Sequence, residues 1–153
     1  MIDRFEKFSL AISEISRYLH KLTSEEMEKH DLKGAHAIYL STLFRNPDGL
    51  TAPQICELCG KDKADVSRML GIMEAKGLVT KESINKNLYR ATFKLTESGI
   101  EAAKFVSERA RLAVDIAGRD LTEENRTIFY DSLDVIATNL HKLSITGIPD
   151  SEE

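Results

Sequence analysis

Six residues in one short run have the types and spacing to grip a polar partner: Lys61, Lys63, Ala64, Asp65, Ser67 and Arg68. Five of them fall in the first two turns of a helix that starts after Asp62. Arg68 carries a planar fork of donors that suits a guanine edge or a phosphate, and Ser67 can bond to either. Ala64 is small enough to touch a thymine methyl. Asp65 repels phosphate, yet it could accept from cytosine N4 or hold Arg68 in position. It also lies three residues after Asp62, where an acid suits the N-terminus of a helix.

Other candidate chemistry is weaker. Cys56-Glu57-Leu58-Cys59 has the C-x-x-C spacing of metal and redox sites. Both thiols would share a short helix face with Ile55, where cysteine behaves as a small hydrophobe. No second Cys/His pair with zinc spacing accompanies them, so core filler is the favoured reading. His20, His30, His36 and His141 are scattered, and no metal ligand is assigned. There is no G-x-S-x-G, no Gly-rich phosphate loop and no H-E-x-x-H. No enzyme activity and no cofactor are expected.

The elements that must position these residues are legible from periodicity. Ile2, Phe5, Phe8, Ile12, Ile15, Leu19 and Leu22 recur at steps of three and four, the spacing of a long first helix extending towards Lys29. A second helix is expected over 33–45, with Ala37, Ile38, Leu40, Leu43 and Phe44 as its apolar residues. Asn46-Pro47-Asp48-Gly49 suits a tight turn after it. Thr51 and Gln54 form a capping box, Leu50 can staple to Ile55, and Gly60 suits the left-handed end of this third helix. Asp62 caps a fourth helix running to about Lys76, with Val66, Leu70 and Met73 inward and Gly77 closing it. Two short helices joined by a Gly-containing turn make a helix-turn-helix.

After Gly77 the period changes. A strand is expected over Leu78–Lys81, a loop over Glu82–Asn87 and a strand over Leu88–Leu95. In the second strand Tyr89, Ala91, Phe93 and Leu95 face one way and Arg90, Thr92 and Lys94 the other. A hairpin in that place is a wing, and it offers Lys81, Lys86, Asn87 and Arg90. Thr96 caps a fifth helix over about 97–118, and Thr122 caps a sixth. The sixth carries Ile128 or Phe129, Leu133, Ile136, Leu140 and Leu143 as a stripe.

The chain has 153 residues, 42% hydrophobic and 30% charged, with a formal net charge of −4. Disordered and collagen-like classes are excluded. No stretch approaches the ~18 apolar residues of a membrane span. The charged start and the two cysteines point to a cytoplasmic protein without a signal peptide. An acidic total argues against a polyanion partner, but its distribution reverses that. Residues 51–95 hold eight bases and five acids, a balance of +3; the other 13 bases and 20 acids leave −7. Binding phosphates needs a local basic face only.

Leu50-Thr51-Ala52-Pro53-Gln54-Ile55, Gly60-Lys61-Asp62-Lys63-Ala64-Asp65-Val66-Ser67-Arg68 and Glu74-Ala75-Lys76-Gly77-Leu78-Val79 resemble the MarR family of bacterial transcription regulators. So does the wing exit, Arg90 to Gly99. The motifs cover residues 50–99, and the order of helices extends the resemblance over nearly the whole chain. The resemblance implies a homodimer that binds a palindromic operator in double-stranded DNA, commonly as a repressor, often released by a small molecule or an oxidation event. It also implies a wing acid two residues before Arg90; this chain has Leu88 there, so the orienting partner of Arg90 is missing. Effectors in the family bind between the dimer helices and the DNA lobe, where Tyr18, His36 and Tyr39 could form a border, although packing is the commoner role for such residues.

The expected fold is mainly α (α+β), a winged helix-turn-helix with long N- and C-terminal dimerisation helices. Residues 1–32 and 97–146 form the helical dimerisation region, 33–96 the DNA-binding lobe, and 147–153 a frayed tail. Two rivals stay open: a winged-helix module that docks protein instead of DNA, and a regulator switched by oxidation of Cys56 and Cys59.

Overall fold

The structure, a computed structural model, describes residues 3–83 and 91–150. Local capping chemistry sets most boundaries. Helix α1 (Arg4–Glu28) starts at Asp3, whose side chain accepts from Arg4 N. Helix α2 (His36–Phe44) ends in the Asn46–Gly49 turn, where Gly49 has φ +94° and donates to the Asn46 carbonyl. Strand β1 (Leu50–Thr51) leads into α3 (Ala52–Cys59). Both halves of the expected capping box are made there: the Thr51 hydroxyl accepts from Gln54 N, and the Gln54 side chain accepts from Thr51 N.

Gly60 closes α3 at φ +62°. Asp62 caps α4 (Lys63–Ala75), its carboxylate accepting from Asp65 N at 2.8 Å. Strand β2 (Val79–Glu82) follows, then β3 (Thr92–Leu95), α5 (Glu97–Ala117) and α6 (Glu123–Thr146). Thr96 and Thr122 accept from Gly99 N and Asn125 N, the two expected caps. The winged helix-turn-helix fold is therefore as expected.

The sheet adds a strand that periodicity missed. Its order is β1-β3-β2, antiparallel throughout, pairing Leu50 with Phe93 and Lys81 with Phe93 from the other side. Leu50 thus has two roles, strand residue and core residue. Glu82 extends β2 beyond the expected loop start. Residues Leu88–Arg90 of the expected second wing strand lie outside the described residues, as do Lys86 and Asn87.

The chain divides into two compact units, Met1–Arg111 and Leu112–Glu153. In the first, Tyr39, Leu40, Leu43, Ile55, Val66, Leu70, Met73 and Val79 form the centre of one apolar core. Helix α2 buries part of its expected apolar set together with His36 and Tyr39, for which packing is the commoner role. His36, Tyr39, Leu40 and Leu43 are buried, while Ile38 and Phe44 stand 39% and 37% exposed. The buried set follows i, i+3, i+4, i+7, the core stripe of a helix. Helix α1 buries Met27 alone, and α6 buries nothing. No described helix is long and apolar enough to cross a membrane.

Candidate nucleic-acid interface

Helix α4 is anchored on one side and open on the other. Val66, Met69, Leu70 and Met73 are in the core, which fixes the helix by packing. Lys63, Ala64, Ser67 and Arg68 are exposed on the opposite face, Lys61 is exposed just before the N-cap, and Asp65 is partly buried. The first turns of a second helix in a helix-turn-helix are the part that reaches base edges. The recognition-helix residues named from sequence are therefore brought together on one outer surface.

Asp65 is where the expected ambiguity resolves. One carboxylate oxygen accepts from the Arg68 guanidinium at 2.6 Å, and the other accepts from the Tyr39 hydroxyl at 2.5 Å. Its backbone N–H is satisfied by Asp62. So Asp62 does the capping, and the Asp65 side chain ties α2 to Arg68. The Tyr39 hydrogen bond, with help from Arg68, holds the Asp65 carboxyl below its ordinary value. Burial, then the Asp65 hydrogen bond, pushes the Tyr39 phenol well above its own. The donor stays protonated and the acceptor stays ionised.

From sequence, Tyr39 has two readings, packing and a cleft border, and neither includes a bond to Asp65. A signal for its contact was present: a tyrosine on the buried face of a helix needs a partner for its hydroxyl. What periodicity could not supply was which residue, 26 positions on, would provide it.

In the wing, Lys81 is exposed on β2 with its Nζ 5.8 Å from the centroid of the Phe93 ring. Lys94 pairs with Glu82 at 3.3 Å. The other wing residues named from sequence, Lys86, Asn87 and Arg90, lie outside the described residues.

His36 and Tyr39 are core residues, and Tyr18 is 55% exposed on α1. His36 Nδ1 accepts from Lys33 N, and its buried Nε2 has no partner among the described residues. Burial lowers the His36 pKa from its ordinary value. A cleft of about 440 Å³ lies elsewhere, bordered by His30, Asp31, Lys76, Glu101 and Phe105 among others. At its edge Lys76, the C-cap of α4, donates to the Asp31 carbonyl at 2.8 Å and to its carboxylate at 3.3 Å. Asp31 has φ +57°, a left-handed conformation that aspartate tolerates better than most residues.

Cys59 is buried and its thiol donates to the Thr42 hydroxyl; Cys56 is partly buried, and the two are not bonded to each other. Among the described residues, no three His, Cys, Asp or Glu side chains gather as metal ligands.

The MarR family model matches residues 30–85, which include the motifs from Leu50 to Val79. No curated protein matches the sequence. Solved structures agree over a longer span. A MarR-family transcriptional regulator from Listeria monocytogenes, solved with 26-mer DNA, superposes at TM-score 0.79 and 20% identity, covering 99% of this chain and 100% of that one. A MarR regulator from Methanosarcina mazei Go1 gives TM-score 0.82 at 20% identity, with 94% of each chain covered. MepR of Staphylococcus aureus, in a DNA complex, gives 0.74 at 23% identity over 87% and 97%. At such identities the likeness is one of fold.

Proposed function

We propose that this chain, matched to the MarR family over residues 30–85, is a DNA-binding transcription regulator that acts as a homodimer on a pseudopalindromic operator, in the sense of a repressor. The observation that carries the reading is the outer face of α4. Lys63, Ala64, Ser67 and Arg68 are presented together on a helix whose inner face is locked in the core, with Lys61 exposed just before its N-cap. DNA complexes of similarly folded regulators support it. Lys81, with Lys86, Asn87 and Arg90 beyond it, would supply the wing's contact to the backbone. Each subunit would place α4 in successive major grooves, ~34–36 Å apart.

The rival docking module has less in its favour. A protein partner does not require a +3 lobe on a −4 chain. Release by a small molecule is favoured by one observation, the cleft beside Lys76. A molecule seated there would touch the C-cap of the recognition helix.

The test is selection of duplexes from a genomic pool, followed by mobility shifts on those recovered. Arg68→Ala should cost about 1–3 kcal/mol of affinity and relax preference at one base pair. Lys81→Ala should weaken binding evenly across sequences and lower the salt slope. No recovered duplex, or binding that ignores salt, would refute the reading.

A further inference from the structure

We propose that Tyr39 is a positioning residue for sequence discrimination: its buried hydroxyl fixes Asp65, and Asp65 fixes the guanidinium of Arg68. This rests on the DNA-binding reading above and says how part of that site is set.

An exposed Asp–Arg pair three residues apart on a helix is by itself a weak restraint. Arg68 has 68% of its side chain exposed, so such a pair alone would leave it sampling many rotamers. Here the carboxylate is not free to follow the guanidinium. Its other oxygen takes the Tyr39 hydroxyl, and Tyr39 is wholly buried among the α2 core residues. A phenol packed at core density has no alternative place to go. The restraint on Arg68 therefore ends in the core, at a residue on a different helix.

The chemistry leaves Arg68 competent to read. A guanidinium has five N–H donors, and Asp65 takes one. A bidentate contact to guanine O6 and N7 uses two more. With a partner on each oxygen, Asp65 acts as an orienting group and not as a reader of cytosine. Holding the fork in advance removes ordering cost from the bound state, and that gain is largest where geometry is strict, at a base edge.

The experiment uses the full chain and a duplex recovered from a randomised pool, beside the same duplex changed at the base pair Arg68 reads. Tyr39→Phe should reduce the preference between the two by about fivefold to tenfold and leave the salt slope unchanged. In an Arg68→Ala background it should have no further effect. Asp65→Asn, which keeps the side-chain shape, should reproduce the loss and not add to it. Without DNA, the Asp65 carboxyl followed by carbon NMR should titrate higher in Tyr39→Phe. Equal weakening on both duplexes, an equal loss in the Arg68→Ala background, or an unmoved Asp65 titration would each overturn the proposal. A wild-type chain that retains no duplex would remove the DNA-binding reading itself, a failure seen before any variant is made.

Discussion

Gly99 closes against the carbonyl of Leu78 with no room for a side chain: a Cβ there would fall inside the radius of that oxygen. The same carbonyl accepts from Thr96 N at 3.0 Å, and the Thr96 hydroxyl donates to the Gly77 carbonyl at 2.6 Å. These contacts stitch the start of α5 to the exit of α4. Gly99→Ala should destabilise the chain by about 1–3 kcal/mol or more, because backbone must move to admit the methyl. Gly71, inside α4, has nothing within 4 Å of its would-be Cβ. Gly71→Ala should stabilise by about 1 kcal/mol through helix propensity. Denaturant midpoints of the two variants should shift in opposite directions.

The contrast between Thr51 and Leu50 explains what the sequence could disclose. Thr51, Asp62, Thr96 and Thr122 each cap a helix through a residue three positions on, and all four were legible because the partner is local. Leu50 pairs with Phe93 across 43 residues, in a strand only two residues long, which leaves no period to detect. Tyr39 and Asp65 are likewise joined by tertiary packing, so the exposed face of α4 was readable and its support was not.

Glu26 makes a forked pair with Arg109, at 3.0 Å from Nε and 2.9 Å from Nη2, and also accepts from Lys29 at 2.9 Å. These hydrogen bonds, Arg109 first, lower its pKa from 4.5 to about 2. The folded chain then holds this proton less tightly than the unfolded one, so stability falls as pH falls. The contribution is complete above 4.5 and is lost on the way down to about 2. Glu26→Gln should flatten the pH dependence of Tm in that window, measured against the wild type in the same buffers. An unchanged slope would show that the α1–α5 pair gives no linkage.

Cys59 is 6% exposed behind Thr42, whereas Cys56 is only partly buried. A thiol reagent should therefore label Cys56 first, with Cys59 reacting only as fast as the lobe opens. Cys59→Ala should cost about 1–2 kcal/mol from the lost packing and hydrogen bond. If both are core residues, peroxide should leave DNA binding by the wild type unaltered. A peroxide response that disappears in the Cys56→Ser/Cys59→Ser variant would favour the redox-switched regulator instead.

Helix α6 has 24 residues, and none is buried in the single chain. Phe129, Ile136, Leu140 and Leu143 are 44%, 37%, 51% and 38% exposed at helical spacing. On α1, Ile12, Ile15, Leu19 and Leu22 form a second exposed stripe, each more than 40% exposed. Helices gain most of their stability from burying such a face, and soluble monomers rarely leave one open. A second copy of the chain is the occupant that the proposed two-fold operator needs. In a two-fold dimer every substitution acts twice, and each fully buried leucine is worth about 1.5–3 kcal/mol. Ile136→Glu with Leu140→Glu should therefore convert a sedimenting dimer to monomer and lower helicity. It should also abolish tight operator binding while leaving α4 untouched, because one half-site cannot hold the complex at physiological salt. A wild-type chain that sediments as a monomer at micromolar concentration would count against the homodimer, and the stripes would then need another partner.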